Sequence, residues 1–394
     1  MRIAANAPRI SVIIFRLLNV YGEGQSLRMR ILYDHQVFSL QTAGGASRYH
    51  FELASQFSLL PHVDVDVGLG FNHSVYPFHS LQQSGVNVMG WDTKLSPGLP
   101  RYALNELVTG VWSLAVGKWD IYHPTLYRRM PTVRSRRTVA THHDCVQERF
   151  PELFSDGARI IKAKRQLYDT ADAIICVSES SRNDLLRYYD VERTKTHVIY
   201  HGVKLLERQF SKAHKFVAQL RRPYLLYVGA RYAYKNFYGL LQAFEAGGFG
   251  HEFDLVVVGG GAFSEAERNE VRRLGLNDCV LHYGLVSEPE LAEAYCRAHL
   301  FVYPSLYEGF GFPPLEAMSL GCPVLAARTS SIPEICRDAA YYFDPACPGD
   351  LKKSLYDTLN DFNPQVHITK GYERVSHYNW ETCATRTLEI YGRL

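Results

Sequence analysis

No apolar run in this 394-residue chain approaches the roughly 20 residues that a membrane-spanning helix requires. The apolar stretch from Ile10 to Val20 carries Arg16 inside it and is followed by no small-residue cleavage site, so it does not read as a signal peptide. Cysteine is scarce, with 8 residues, none paired as C-x-x-C or grouped with histidine at metal spacing. That pattern argues against a zinc module and a disulfide scaffold, and fits free thiols in a reducing cytoplasm. An excess of one charge is missing too: 43 Lys and Arg against 40 Asp and Glu leave +3, too little to argue for a nucleic-acid partner. G-x-G-x-x-G is absent, which removes the sequence signal of a dinucleotide site.

What remains is an ordinary globular composition, 46% hydrophobic and 21% charged, in a chain long enough for two domains. Apolar strand patterns alternate with helical ones from residue 29 onward, and the series occurs twice. Such alternation predicts an α/β protein with two doubly wound, Rossmann-like domains facing a cleft. The predicted units are an N-terminal domain over 29–203, a linker over 204–222, a second domain over 223–375, and a terminal helix over 376–394 that crosses back to the first.

In the first domain, residues 30–34 (RILYD) read as a strand. A loop with Gly44 and Gly45 follows, then a helix over 47–60. Residues 63–67 (VDVDV) contain a literal D-x-D, but strict alternation describes a half-buried strand with valines inward and aspartates outward. Residues 120–123 and 138–141 read as further strands, the second ending in His142, His143 and Asp144, and residues 173–177 and 197–200 complete the series. Between them lie RRMPTVRSRR, from Arg128 to Arg137, and the helical ARIIKAKRQLY. Both read as solvated basic faces; the functional alternative is docking on an anionic membrane surface.

The second domain opens with a strand over 224–228 and GARYAYKN, which sets Arg231 and Lys235 four apart just past a strand end. Two cations there suit negative charge developing on a departing diphosphate. A buried strand then ends in three glycines (DLVVVGGG). The most informative stretch is VYPSLYEGFGFPPLEAMSLGCPVLAA, residues 302–327. A short strand breaks at Pro304, and a loop carries Glu308, Gly309 and Gly311. A helix opened by Pro313 and Pro314 and closed by Gly321 follows. The free amides of a helix start behind two glycines are an anion site, and Glu308 and Glu316 bracket it. A ligand anionic in its middle and rich in hydroxyls at both ends fits that arrangement, as a sugar nucleotide does.

The E-x7-E spacing of Glu308 and Glu316 inside EGFGFPPLEAM resembles the signature of the family 4 retaining glycosyltransferases of the GT-B fold. The resemblance runs from Met29 to the C-terminus. It implies that Glu316 accepts hydrogen bonds from ribose hydroxyls, and that Glu308 holds the sugar with the amides of Gly309, Phe310 and Gly311. It further implies that Arg231 and Lys235 stabilise the leaving diphosphate, with no metal ion. By the same resemblance Gly44 and Gly45 approach the donor diphosphate, and Val286 and Ser287, beside Leu285, cradle the base through backbone contacts. His143, from VATHHDCVQERFPELF, lies against the sugar ring, with His142 as the shifted alternative.

The implied activity is transfer of a hexose, mannose for preference, from a nucleotide-diphosphate sugar such as GDP-mannose. The acceptor is a glycan or a lipid-linked saccharide in surface polysaccharide or O-antigen assembly, and the enzyme is cytoplasmic or peripheral on the inner face of the membrane. A GT-B sugar-nucleotide epimerase is the first rival, and it requires acid/base carboxylates that are not apparent. A non-catalytic scaffold is the second; loss of Glu308, Arg231 or Lys235 is its expected mark, and all three are present. Residues 1–28 stand apart: FRLLNVYGEGQSLR resembles a piece of the NAD-dependent sugar-nucleotide epimerases. We expect Met29 to be the natural start, with the preceding segment from a fused or misassigned reading frame, or else a variable extension.

Overall fold

A computed structural model of the chain describes residues 28–394 apart from 73, 93–97, 129, 131, 205–219 and 221. The segment expected to be extraneous lies outside the described residues except for Arg28, and so does most of the expected linker.

The described residues form two all-parallel sheets. The first has the order β3-β2-β1-β4-β5-β6-β7, built from β1 (Met29–Tyr33), β2 (Val63–Asn72), β3 (Asn87–Asp92), β4 (Trp119–His123), β5 (Ser135–His142), β6 (Ala173–Cys176) and β7 (Thr196–Val198). The second has the order β10-β9-β8-β11-β12-β13, from β8 (Tyr224–Val228), β9 (Asp254–Val258), β10 (Val280–Tyr283), β11 (Leu300–Tyr303), β12 (Val324–Ala327) and β13 (Tyr341–Phe343). Central strands such as β9 and β11 are buried along their whole length, as helices covering both sheet faces require. In each sheet the order reverses beside the first strand, at β1/β4 and at β8/β11. These are the switch points outside which ligands bind in doubly wound sheets.

Helix α1 (Gly45–Phe57) starts two residues earlier than its apolar pattern suggested, because Gly44 already serves as its N-cap. Helix α2 (Glu179–Tyr188) opens with a capping box in which the Ser178 hydroxyl accepts from the Ser181 amide at 2.9 Å. Helix α3 (Phe312–Ser319) has both prolines in its first turn and reaches its end before Gly321, whose φ of 74° suits glycine. Helix α4 (Ile332–Cys336), helix α5 (Pro364–Ser376) and helix α6 (Trp380–Tyr391) follow.

Helix α6 packs on the first lobe. Trp380, Cys383, Ala384, Leu388, Ile390 and Tyr391 belong to the same core as Ile31, Tyr33 and Leu53. The Tyr391 hydroxyl lies 3.2 Å from that of Tyr33 and 2.5 Å from His123 Nδ1. The two crossings between lobes run side by side, since the Val203 amide donates to the Tyr378 carbonyl at 3.0 Å.

Two expectations are corrected. Asp66 does not point to solvent. It is 5% exposed and accepts from Trp119 Nε1 (2.6 Å), Asn87 Nδ2 (2.7 Å) and Arg30 Nη2 (3.1 Å), because β2 is an interior strand covered on both faces. The helix containing ARIIKAKRQLY is not wholly a solvated face either. Lys164 is fully buried, pairing with Glu148 at 3.1 Å and donating to the Asp144 carbonyl at 2.9 Å. A buried ammonium needs such partners.

Candidate active site

The loop after β11 is fixed from within. The Glu308 amide donates to Ser330 Oγ at 2.9 Å, and Ser331 Oγ donates to the carbonyls of Glu308 and Phe310, both at 2.9 Å. Ser330 holds φ 47°, a left-handed conformation uncommon for a residue with a side chain. This frame presents the Glu308 carboxylate to Lys235, whose Nζ lies 2.7 and 2.8 Å from its two oxygens. Tyr303 bonds the same carboxylate, and burial together with that negative neighbour pushes its phenol well above the ordinary value. Lys235 stands in a single 3-10 turn after β8, held by its amide on the Tyr232 carbonyl at 2.8 Å.

The loop also meets the first lobe. A Cβ placed on Gly309 would sit 1.8 Å from the His143 carbonyl oxygen, so no side chain fits at that position. Ser178 Oγ donates to the Gly309 carbonyl at 2.7 Å. Tyr307 accepts from the Cys145 amide at 2.8 Å and donates to Asp184 at 2.9 Å. Glu334, on α4, takes the Glu179 and Ser180 amides at 2.7 and 2.9 Å, capping α2 across the lobes. The structure thus brings Gly309 against the end of β5, where His143 lies, with the Lys235–Glu308 pair on the adjoining part of the same loop.

His143 sits among aromatic and imidazole rings: Tyr49 at 5.7 Å, His201 at 6.0 Å and His50 at 6.3 Å. Burial lowers its pKa to about 4, with Lys164 adding to the fall and Asp144 opposing it. At neutral pH it is therefore an uncharged hydrogen-bonding group. Its Nε2 is buried and has no partner among the described residues. An unmade buried hydrogen bond costs about 1–3 kcal/mol, so the arrangement favours a ligand that completes it. His142, the shifted alternative, is instead engaged with the Tyr168 hydroxyl at 2.7 Å, which leaves His143 as the available ring.

Glu316 lies in α3, 5% exposed, on the side facing α1. Arg48 Nη1 donates to its Oε1 at 2.6 Å and the Tyr295 hydroxyl to its Oε2 at 3.3 Å. Burial pulls the Arg48 guanidinium down, but Glu316, with smaller help from Tyr76 and Glu288, holds it above its ordinary value. Gly45 packs on Phe312 so closely that a Cβ would meet its ring at 3.1 Å. The glycine loop of the first lobe therefore faces the start of α3. Gly44 is extended at φ 166° and caps α1, and its carbonyl accepts from the Tyr76 hydroxyl at 3.1 Å. Phe310 is a core ring facing His201 at 4.9 Å, which leaves only its backbone for a ligand. Gly311 takes φ 105° as the cap of α3. Val286 is half-buried against the second core, and Ser287 caps the next helix, its amide donating to Glu290 at 2.8 Å. Leu285 beside them is 84% exposed.

Arg231 departs from expectation. Its Nε donates to Glu267 at 2.6 Å, Nη1 to the Gly259 carbonyl at 2.9 Å and Nη2 to the Gly261 carbonyl at 2.6 Å, and the side chain is 5% exposed. Its donors are spent on Glu267 and backbone carbonyls, so it does not stand beside Lys235 as a second cation for a ligand; it shapes the glycine turn after β9. The basic stretch is also partly neutralised: Arg128 lies 3.7 Å from Glu106, Arg136 3.4 Å from Asp120 and Arg137 2.9 Å from Asp172. Arg48, Tyr295 and Tyr303 escaped the sequence reading. The only available signal was the place of Arg48 one turn into the helix behind Gly44 and Gly45.

Among the described residues no helix is long and apolar enough to cross a membrane. Residues 43–205 match the family described as Glycosyltransferase Family 4, and residues 209–374 match Glycosyl transferases group 1. The chain is similar to O-antigen chain mannosyltransferase B of Escherichia coli, 30% identical over 72% of this chain and 77% of the relative. It is also similar to O-antigen chain mannosyltransferase RfbU of Salmonella typhimurium, 26% identical over 61% of this chain and 67% of that one. Among solved structures, Anabaena HepE in complex with UDP-glucose superposes with a TM-score of 0.72 at 19% identity. That superposition covers 93% of this chain and all of HepE.

Proposed function

The chain belongs to the family 4 glycosyltransferases, and from that premise we propose that it moves a hexose, mannose for preference, from a nucleotide-diphosphate sugar to a glycan or lipid-linked acceptor in surface polysaccharide or O-antigen assembly. GDP-mannose is the proposed donor, which the mannosyltransferase names of two relatives support. The observation that carries the reading is Gly309, next to the Lys235–Glu308 pair, packed on the backbone of His143, whose buried Nε2 lacks a partner among the described residues.

In this reading the Glu308 carboxylate and the neutral His143 ring hold sugar hydroxyls from opposite lobes. The Lys235 ammonium and the first amides of α3 meet the leaving diphosphate, so that charge stabilisation requires no metal ion. Glu316 grips the ribose once Arg48 yields it, while the loop of Val286 and Ser287 lies under the base. Arg231 positions the glycine turn that faces this site. The acceptor hydroxyl attacks the anomeric carbon from the face that the diphosphate leaves. The bond from that carbon to the phosphate oxygen breaks with its electron pair going to the diphosphate, whose oxygen takes the hydroxyl proton. Retention of configuration follows from that same-face geometry. For a lipid-linked acceptor, residues 128–137 are the surface proposed to rest on the inner face of the membrane.

A thermal-shift panel of GDP, UDP, dTDP and ADP tests the donor, with GDP expected to raise the melting temperature most. Lys235→Ala should lower turnover by about 10²- to 10³-fold, comparable to loss of one charge-stabilising donor. Turnover near that of the unsubstituted enzyme, or release of free epimerised sugar nucleotide, would refute the proposal.

A further inference from the structure

An open basic groove lies at the β13 edge of the second sheet. Its volume is about 510 Å³, within the range of small-molecule sites, and Arg328, Arg337, Asp338, Tyr342, His367 and Lys370 line it. None of these residues belongs to the Lys235–Glu308 cluster. Lys370 pairs with Asp338 at 2.9 Å. Neither Arg328 nor Arg337 forms an ion pair among the described residues, although the Arg328 guanidinium stands 4.7 Å over the Tyr342 ring. Counting three cations against one carboxylate leaves +2. His367 adds no charge at neutral pH, since burial and then Lys370 lower its pKa, against a smaller opposing effect of a backbone hydrogen bond to Asn363.

The backbone gives an independent sign. Arg337 adopts φ 48° and ψ −132°, a region that glycine enters freely and a residue with a Cβ enters only under strain. The Tyr342 hydroxyl holds the Arg337 carbonyl at 2.5 Å, so the strained turn is braced from β13. The Arg337 side chain forms no hydrogen bond or ion pair among the described residues, and glycine would relax the backbone. Strain retained beside unneutralised charge points to use of the side chain.

We propose that this groove is an anion site for a phosphomonoester or diphosphate group, read by the guanidinium forks of Arg328 and Arg337 with Lys370 as third donor. A carboxylate would neutralise only half of the +2, whereas a phosphomonoester carries about −1.5 to −2 at pH 7. Guanidinium groups match its oxygens in paired hydrogen bonds. The group can come from a lipid headgroup or from a soluble phosphorylated compound. One chain segment links the site to the loop of Glu308: residues 328–337 carry Ser330 and Ser331, which hold Glu308, and Glu334, which caps α2.

The test is calorimetric titration of pyrophosphate into the full chain, into Arg337→Gly, into the double variant Arg328→Gln with Lys370→Gln, and into Lys235→Ala. The expected result is binding that survives Lys235→Ala and weakens roughly tenfold or more in the two pocket variants, the loss of one or more charge-assisted contacts. Without ligand, Arg337→Gly should melt about 2–4 °C higher, as relief of strain requires. Undiminished binding in Arg337→Gly, loss of binding in Lys235→Ala alone, or a lower melting temperature for Arg337→Gly would each overturn the proposal. Cosedimentation with phosphatidic acid vesicles separates the sources. Pelleting of the unsubstituted chain but not Arg337→Gly assigns a lipid headgroup, and pyrophosphate binding without pelleting assigns a soluble ligand. Because Lys235→Ala reports on the cleft alone, failure of this site and failure of the proposed transferase reading are distinguishable.

Discussion

Adding one methyl group to Gly309 should separate the lobes enough to silence the enzyme without unfolding it. The new Cβ would start 1.8 Å from the His143 carbonyl oxygen and 2.9 Å from its carbon, both backbone atoms at the buried end of β5. Restoring even 3.0 Å, the closest separation that Cβ atoms ordinarily show, demands about 1.2 Å of movement. Ser178 Oγ and the Gly309 carbonyl, now 2.7 Å apart, would be drawn as far as about 3.9 Å apart where that movement runs along their bond, which breaks it. The clash lies between lobes and not inside one core, so its cost in stability should stay within the roughly 1–3 kcal/mol of an overpacked contact. Its cost in rate should be larger, because displacement of reacting groups by about 1 Å reduces turnover on the order of 10²-fold. Initial rates of sugar transfer for Gly309→Ala, measured beside its urea midpoint, give both numbers. Unchanged transfer rates would show that the contact between this loop and His143 is not needed for the reaction.

The ion pair between Arg48 and Glu316 gives a second expectation. Arg48→Ala leaves a carboxylate that is 7% exposed with only Tyr295 as partner among the described residues and should cost about 2–3 kcal/mol in urea denaturation, below the value for a fully buried pair because Arg48 is 22% exposed. Adding Glu316→Gln should recover part of that loss; equal stability of single and double variants would exclude the pair as its cause. A third concerns acid. Burial holds His143 at about 4 and His123 at about 3, and places His50 and His201 well below the ordinary value. The unfolded chain then takes up protons below pH 6.5 that the folded one refuses, so the stability from these rings is complete above that pH and is lost as pH falls toward 4. Each ring contributes a slope of about 1.4 kcal/mol per pH unit. Melting temperatures should fall steeply between pH 6 and 5 and less steeply in His201→Phe; a flat profile over that range would contradict the assignment.

The fold was legible because its signals are local. Apolar strands such as residues 254–258, glycines at strand ends and prolines at helix starts each state their role within a few residues, and the spacing of Glu308 and Glu316 carried the family. What the sequence concealed is of another kind. Arg48 meets Glu316 across 268 positions, and no periodicity links them. Arg231 is captured by the carbonyls of Gly259 and Gly261, and backbone acceptors leave no trace in residue identity. Asp66 and Lys164 looked solvated because strand alternation and charge runs do not reveal which faces a neighbouring layer will cover.

The placement of helix α6 reaches beyond the finished molecule. The first lobe draws Trp380, Leu388 and Tyr391 into its core, so its hydrophobic interior cannot close until the dozen residues of α6 have been synthesised. Between Val203 and Trp380 a ribosome adding 5–20 residues per second needs roughly 10–40 s, during which that half waits with an open flank. A premature stop near residue 379 would therefore injure the half of the protein that was made first.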